Sequence, residues 1–141
     1  MTTDAITATP VGDRTERRSV MEARLLESVF PTDTNPQGNL FGGTLMSWMD
    51  KAAGFAAMRR SRSTVVTRAI ENIAFQVPIL QGELVEVYAR VVEVGRTSMR
   101  VRVEVRKESP IDGTSELCTV GHFTMISMRD RRPAVVPPLE G

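Results

Sequence analysis

The feature that most constrains this chain is one stretch, Asn35 to Met58, read as NPQGNLFGGTLMSWMDKAAGFAAM. It opens on breakers, Asn35-Pro36, Gly38-Asn39 and Gly42-Gly43, a density that marks a shaped loop. From Thr44 the breakers stop and a helix-length run begins. Leu45, Trp48, Met49, Ala52 and Ala56 recur at helical spacing and define a core face. The opposite face, with Met46, Ala53, Gly54 and Ala57, is hardly more polar. A helix that is apolar nearly all round is buried nearly all round, so the rest of the chain must wrap it.

Only Thr44, Ser47, Asp50 and Lys51 interrupt that run, and Asp50 is the odd one. Its neighbours three and four positions away are Met46, Ser47, Ala53 and Gly54, none of them a cation. Lys51 points about 100° away around the helix. An ionised carboxylate buried without a partner is costly. Two readings stay open from the residue alone: an acid satisfied by an Arg or a backbone donor from elsewhere, or one kept for chemistry. Gly42 and Gly43 fall where the first helical N–H groups lack partners and the macrodipole is positive. Without a Cβ, a ligand oxygen can approach the backbone there, which is the geometry of an oxyanion hole. The same pair also serves as a plain glycine-rich cap. Asp50 lies roughly 10 Å further along the axis at the standard helical rise.

The 141 residues suffice for one domain with a real core and not for two. Residues 1–18, rich in Thr and charge, read as a disordered tail, residues 19–129 as the folded domain, and residues 130–141 as an extended, proline-stiffened tail. Ser19 to Phe30 can form a first strand. After the helix, Arg59 to Ser63 (RRSRS) reads as a solvated helix end. The pattern then turns to period two. Thr64 to Phe75 is rich in β-branched residues, and Glu83 to Val94 turns Val85, Val87, Ala89 and Val91 to one face. Thr97 to Lys107 does the same with Met99, Val101, Val103 and Val105. Matching those faces across Gly95-Arg96-Thr97 requires a three-residue loop and sets Glu86 opposite Arg106. Glu116 to Met128 makes the last strand. One long helix and a curved antiparallel sheet give an α+β architecture. Neither the helix nor the sheet edges can be covered by one copy, which implies self-association.

Several chemistries are excluded. A net charge of +1 and 5% aromatic residues give no field or stacking platform for nucleic acid. No run is long enough to span a membrane. The single Cys118 excludes an internal disulfide and suits a reducing, cytoplasmic setting. No metal-ligand spacing occurs, and no G-x-S-x-G turn accompanies the sole histidine, His122. Cys118 and His122 are roughly 13 Å apart along a strand, too far for a thiol dyad. The Arg-bearing face of Arg90, Arg100, Arg102 and Arg106 alternates with glutamates and reads as a solvated sheet face.

The segment Asp33 to Asp50 (DTNPQGNLFGGTLMSWMD) resembles the hotdog-fold acyl-CoA thioester hydrolases. The resembling branch contains bacterial short-chain acyl-CoA hydrolases and the cytosolic acyl-CoA hydrolases of animals. The likeness runs on through VVTRAIENIAFQVPILQGELVEVYARVVEVGRTSMRVRVEV and HFTMISMRDRRPAVVPP, roughly Ser19 to Pro138. It implies a hotdog fold, obligate dimers commonly built into trimers of dimers, and an active site across the dimer interface. It implies that Asp50 is the general base or the nucleophile and that Asn35 is supplied by the other subunit. It also implies that the Gly43 N–H, beside Gly42, polarises the thioester carbonyl. The Gly95, Thr97 and Ser98 turn and the Arg131, Arg132 and Pro133 segment are placed near the phosphates of coenzyme A. Arg68 stands where a smaller residue is expected near the acyl tunnel. The implied activity is hydrolysis of fatty acyl-CoA to free fatty acid and coenzyme A, with no metal and no cofactor beyond the coenzyme A of the substrate. The alternative is a non-catalytic acyl-CoA-binding sensor on the same fold. A dehydratase of this fold needs a histidine near the helix, and His122 comes too late in the chain.

Overall fold

The computed structural model describes residues 21–139. The tail expected over residues 1–18 and the start of the first strand at Ser19 lie outside the described residues, as do the last two positions of the chain. The order is β1 (Glu22–Ser28), a 3-10 turn (Pro31–Asp33), helix α1 (Gly42–Ser61), β2 (Thr64–Glu71), β3 (Leu84–Val94), β4 (Ser98–Glu108), β5 (Ser115–Arg129) and a short β6 (Arg132–Pro133). The sheet is antiparallel, in the order β1-β3-β4-β5-β2, with β6 added to the end of β5. Packed against all five long strands, α1 is the helix the sequence called for.

The alternation in β3 and β4 does what period two requires. Val85, Val87, Ala89, Val101, Val103 and Val105 are all fully buried against α1. From the helix come Leu45, Met49, Ala52, Ala53, Ala56 and Ala57. Small residues let the backbone of α1 sit close to the sheet, while Met49 and Phe123 fill what remains. Each such large side chain, fully buried, contributes about 1.5–3 kcal/mol. The helix still shows Phe55 to solvent, and Trp48 and Met46 are only half-buried. Past the first turn, only the stripe of Ser47, Lys51, Phe55 and Arg59 is left exposed along the helix.

The β3–β4 loop is the expected three residues, and Glu86 sits opposite Arg106. The ion pair, however, forms with Arg24 of β1, whose Nη1 lies 3.2 Å from the Glu86 carboxylate. Three expectations are corrected. The first strand ends at Ser28 rather than Phe30; within it Ala23 is buried and Leu26 exposed, and just beyond it Val29 is buried and Phe30 exposed. The second strand ends at Glu71 rather than Phe75, because Asn72 takes a positive φ of 60° and breaks the ladder. The tail from Asp130 is not simply extended. Asp130 and Arg131 both have positive φ, 50° and 62°, and fold Arg132–Pro133 back onto Arg129 and Met128 as a tight hairpin.

Candidate active site

The N-terminus of α1 carries no side-chain cap. The N-cap is Phe41, in extended conformation, with no side-chain hydrogen bond to the first turn. The amides of Gly42, Gly43 and Thr44 precede the first intrahelical bond, which runs from Leu45 N–H to the Phe41 carbonyl at 3.0 Å. A Cβ at Gly43 would meet nothing within 4 Å, so the space beside its backbone is open. Gly42 is tighter: a Cβ there would stand 3.3 Å from the Phe75 ring.

Asn35 builds the loop that leads in. Its Oδ1 accepts from the Gln37 and Asn39 amides at 3.0 and 3.1 Å, and its backbone N–H donates to the Asn39 carbonyl at 2.8 Å. The carbonyl oxygen of the side chain is therefore committed to the loop. Only the Nδ2 amino group remains to meet a ligand, and it can only donate. Asn35, Gly42, Leu45 and Phe75 share a cavity of about 300 Å³ with Val77 and Ile79. The wall carrying Val77 and Ile79 is pinned by Lys107, whose Nζ donates to the Pro78 carbonyl at 2.9 Å.

Asp50 does not line that cavity. It is half-buried, and among the described residues it forms no ion pair. Its one partner among these residues is Thr67 of β2, whose hydroxyl donates to Oδ1 at 2.5 Å. Of the two readings left open for this acid, neither the Arg nor the backbone donor is found among the described residues; a side-chain hydroxyl takes that place, and the burial is partial. The sequence analysis missed Thr67, which looks like any β-branched strand residue. A β-bulge falls beside it, between Thr67 and Ala69, leaving Arg68 unpaired and exposed. Bulges re-aim the neighbouring side chain. β2 is an edge strand, so Asp50 lies beside an unpaired row of backbone donors and acceptors with Val66 and Ile70 exposed along it.

The remaining sequence-predicted residues gather at the other end of α1. The Gly95–Ser98 turn closes by a Gly95 N–H to Ser98 carbonyl bond at 2.8 Å. A Cβ on Gly95 would lie 2.6 Å from Ser98 Oγ, so a larger residue here would force the serine hydroxyl to turn away. The Thr97 carbonyl accepts from Ser127 N–H, and the Arg96 carbonyl from Val136 N–H, each at 2.8 Å. These bonds seat the Arg131, Arg132 and Pro133 hairpin beside the turn. A wider hollow of about 590 Å³ opens where Gly95 and Ser98 meet Arg100, Thr124, Glu71 and Glu93. Two carboxylates against one guanidinium give that hollow no preference for anions. Arg60 and Ser61, expected in a solvated helix end, are instead buried.

Cys118 and His122 stay apart from both groups. Burial pushes the Cys118 thiol above its ordinary range, so it is held protonated. Burial first, then the charges of Arg100 and Arg102, pull the His122 imidazole below the usual histidine range. Among the described residues, no three His, Cys, Asp or Glu side chains stand close enough to share a metal ion. No helix among them is long and apolar enough to cross a membrane.

Comparison with known proteins adds to this geometry. Residues 37–114 match the model of the thioesterase superfamily. An uncharacterized acyl-CoA thioester hydrolase of Zymomonas mobilis is 41% identical over 110 residues, which span 77% of this chain and 74% of that protein. An acyl-CoA hydrolase of Staphylococcus aureus, solved in complex with butyryl coenzyme A, coenzyme A and coenzyme A disulfide, superposes with a TM-score of 0.80 at 31% identity, over 85% of this chain and 74% of that one. A hexameric acyl-CoA thioesterase superposes with a TM-score of 0.81 at 33% identity, over 86% and 77% of the two chains. The S. aureus hydrolase has also been solved with an asparagine, an aspartate and a threonine each replaced by alanine; the aspartate follows the asparagine by fifteen residues, and the threonine follows the aspartate by seventeen. The likeness holds in sequence and in shape: the chain folds as a hotdog, one long apolar helix wrapped by an antiparallel sheet, and it belongs to the thioesterase superfamily.

Proposed function

We propose that this chain hydrolyses acyl-CoA thioesters to the free acid and coenzyme A, at a site assembled from two copies of itself. The observation that carries this reading is the pairing, on one apolar helix, of an uncapped N-terminus with an acid that has a hydroxyl partner and no cation among the described residues. Asn35, Asp50 and Thr67 also stand at the same intervals as the three residues substituted in the S. aureus hydrolase.

A thioester carbonyl is already a good electrophile, so a carboxylate and an oxyanion donor suffice. Asp50 takes a proton from water as the water oxygen bonds to the carbonyl carbon. The C=O electron pair moves to oxygen, where the Gly43 N–H and the Asn35 Nδ2 stabilise it. Collapse expels the coenzyme A sulfur, which takes the proton from Asp50. The alternative is direct attack by the carboxylate to give an anhydride, hydrolysed in a second step. Both routes need Thr67 to fix the carboxylate's orientation, and neither calls on a metal or added cofactor.

Gly43 and Asp50 of one helix are separated by roughly 10 Å of axial rise, a stretch for one thioester group. Two copies paired along their β2 edges resolve this, since each would bring its Asn35 loop toward the other's Asp50. Such pairing would also cover Val66 and Ile70, and a trimer of these dimers would bury the open side of α1. The lone cysteine suits the cytoplasm. The test is thiol release from acyl-CoA esters of increasing chain length. Turnover on any of them supports the hydrolase; tight binding with no thiol released would make the chain a sensor.

A further inference from the structure

Arg60, at the C-terminal end of α1, is 8% exposed and makes no ion pair among the described residues. Its Nη1 donates to the Pro137 carbonyl at 2.5 Å, and its Nε is buried without an acceptor. Burying a guanidinium without a carboxylate is costly, and a helix end needs no buried cation to be stable. What Arg60 holds is the strap that follows β6. Ala134 N–H donates to the Ser127 carbonyl and Val136 N–H to the Arg96 carbonyl, both at 2.8 Å, while the Val136 side chain enters the core. A second tie reaches the same unit. Ser61 Oγ meets Ser63 Oγ at 2.8 Å, and Ser63 Oγ meets Ser127 Oγ at 2.7 Å, with Ser61 and Ser127 fully buried.

Turn, strap and hairpin are therefore one hydrogen-bonded body, fastened to the helix at two points. On its surface it carries Arg96, Arg131 and Arg132, all exposed, with Asp130 the only acid between Arg129 and Leu139. The helix dipole accounts for a cation such as Arg59 in the last turn, but not for three on a loop and a hairpin. Three guanidiniums held on one rigid body suit a ligand with several phosphates.

We propose that Arg60 is a positioning residue for the phosphate-bearing end of the substrate, acting through the Pro137 carbonyl and never touching the ligand. This rests on the acyl-CoA reading above. The experiment compares two thioesters of the same acid, one with coenzyme A and one with N-acetylcysteamine, which keeps the reacting group and lacks every phosphate. Arg60→Met lowers kcat/KM about tenfold on the coenzyme A ester, through KM, and leaves kcat/KM on the truncated ester unchanged. Arg60→Lys, which restores a donor to Pro137, returns most of the loss. Ser63→Ala, at the half-buried middle of the serine chain, moves the same ratio in the same direction and decides the matter should Arg60→Met not fold. Equal losses on both esters, or no loss on the coenzyme A ester in a folded variant, overturn the proposal. A wild type inert toward both esters sinks the hydrolase reading itself, and this inference with it.

Discussion

The two ends of α1 are built on opposite plans. Toward the N-terminus the first amides are uncapped, Asp50 two turns further in has a single neutral partner among the described residues, and the adjoining strand edge is unpaired. At the C-terminus almost every group is engaged: Arg62 N–H bonds the Met58 carbonyl, Arg60 bonds Pro137, and Ser61 joins a chain of hydroxyls. Chemistry needs groups that are still free to meet a substrate, and positioning needs groups that are not. On the proposed reading one helix would supply both, its apolar middle being locked into the sheet.

The largest effect is expected at Asp50. Asp50→Asn keeps the shape and the Thr67 contact while removing the proposed base or nucleophile, so kcat should fall about a thousandfold in a thiol-release assay, with the oligomer intact by sedimentation. Asn35 sharpens the picture more finely. Asn35→Asp retains the Oδ1 that accepts from Gln37 and Asn39 but loses the Nδ2 donor. It should lower kcat roughly ten- to a hundredfold without loosening the loop, whereas Asn35→Ala loses both activity and loop order.

At the other end the expected effects are on stability. Arg62 closes the helix with a φ of 55°, the left-handed region that glycine occupies at no cost. Arg62→Gly should stabilise the fold by about 1 kcal/mol in urea unfolding. The smallest effect belongs to neither end. His122 has a lowered pKa in the folded protein, so the unfolded chain binds more protons as pH falls through the ordinary histidine range. Its contribution is full above that range and is lost on acidification toward the folded value. His122→Gln should flatten that part of the pH dependence of unfolding while leaving thiol release unchanged.

The sequence made the open end legible and the closed end opaque. Breakers, a sudden apolar run and one misplaced acid mark the N-terminus of α1 by local pattern alone, and period two with matched faces sets the β3–β4 register. The closed end depends on contacts between residues far apart in the chain. RRSRS looks like a solvated charge run until Pro137, 77 residues from Arg60, arrives to accept its hydrogen bond. The hairpin at Asp130-Arg131 lacks the Asn-Gly signature of its turn. Thr67 is indistinguishable from its strand neighbours until the bulge aims it at Asp50. Glu86 faces Arg106 as read, but its ion pair goes to Arg24 because β1 lies alongside β3, an order that no local pattern encodes.

The central claim is that one site is completed by Asp50 of one copy and Asn35 of another. It is tested most directly by mixing Asn35→Ala and Asp50→Asn proteins after mild dissociation and re-association. Each parent alone is nearly inert. A mixed dimer holds one site with both residues intact and one with neither, so the account predicts that thiol release recovers to roughly a quarter of wild type. If the mixture shows only the average of its two parents, both residues serve a site within a single chain and the account is contradicted.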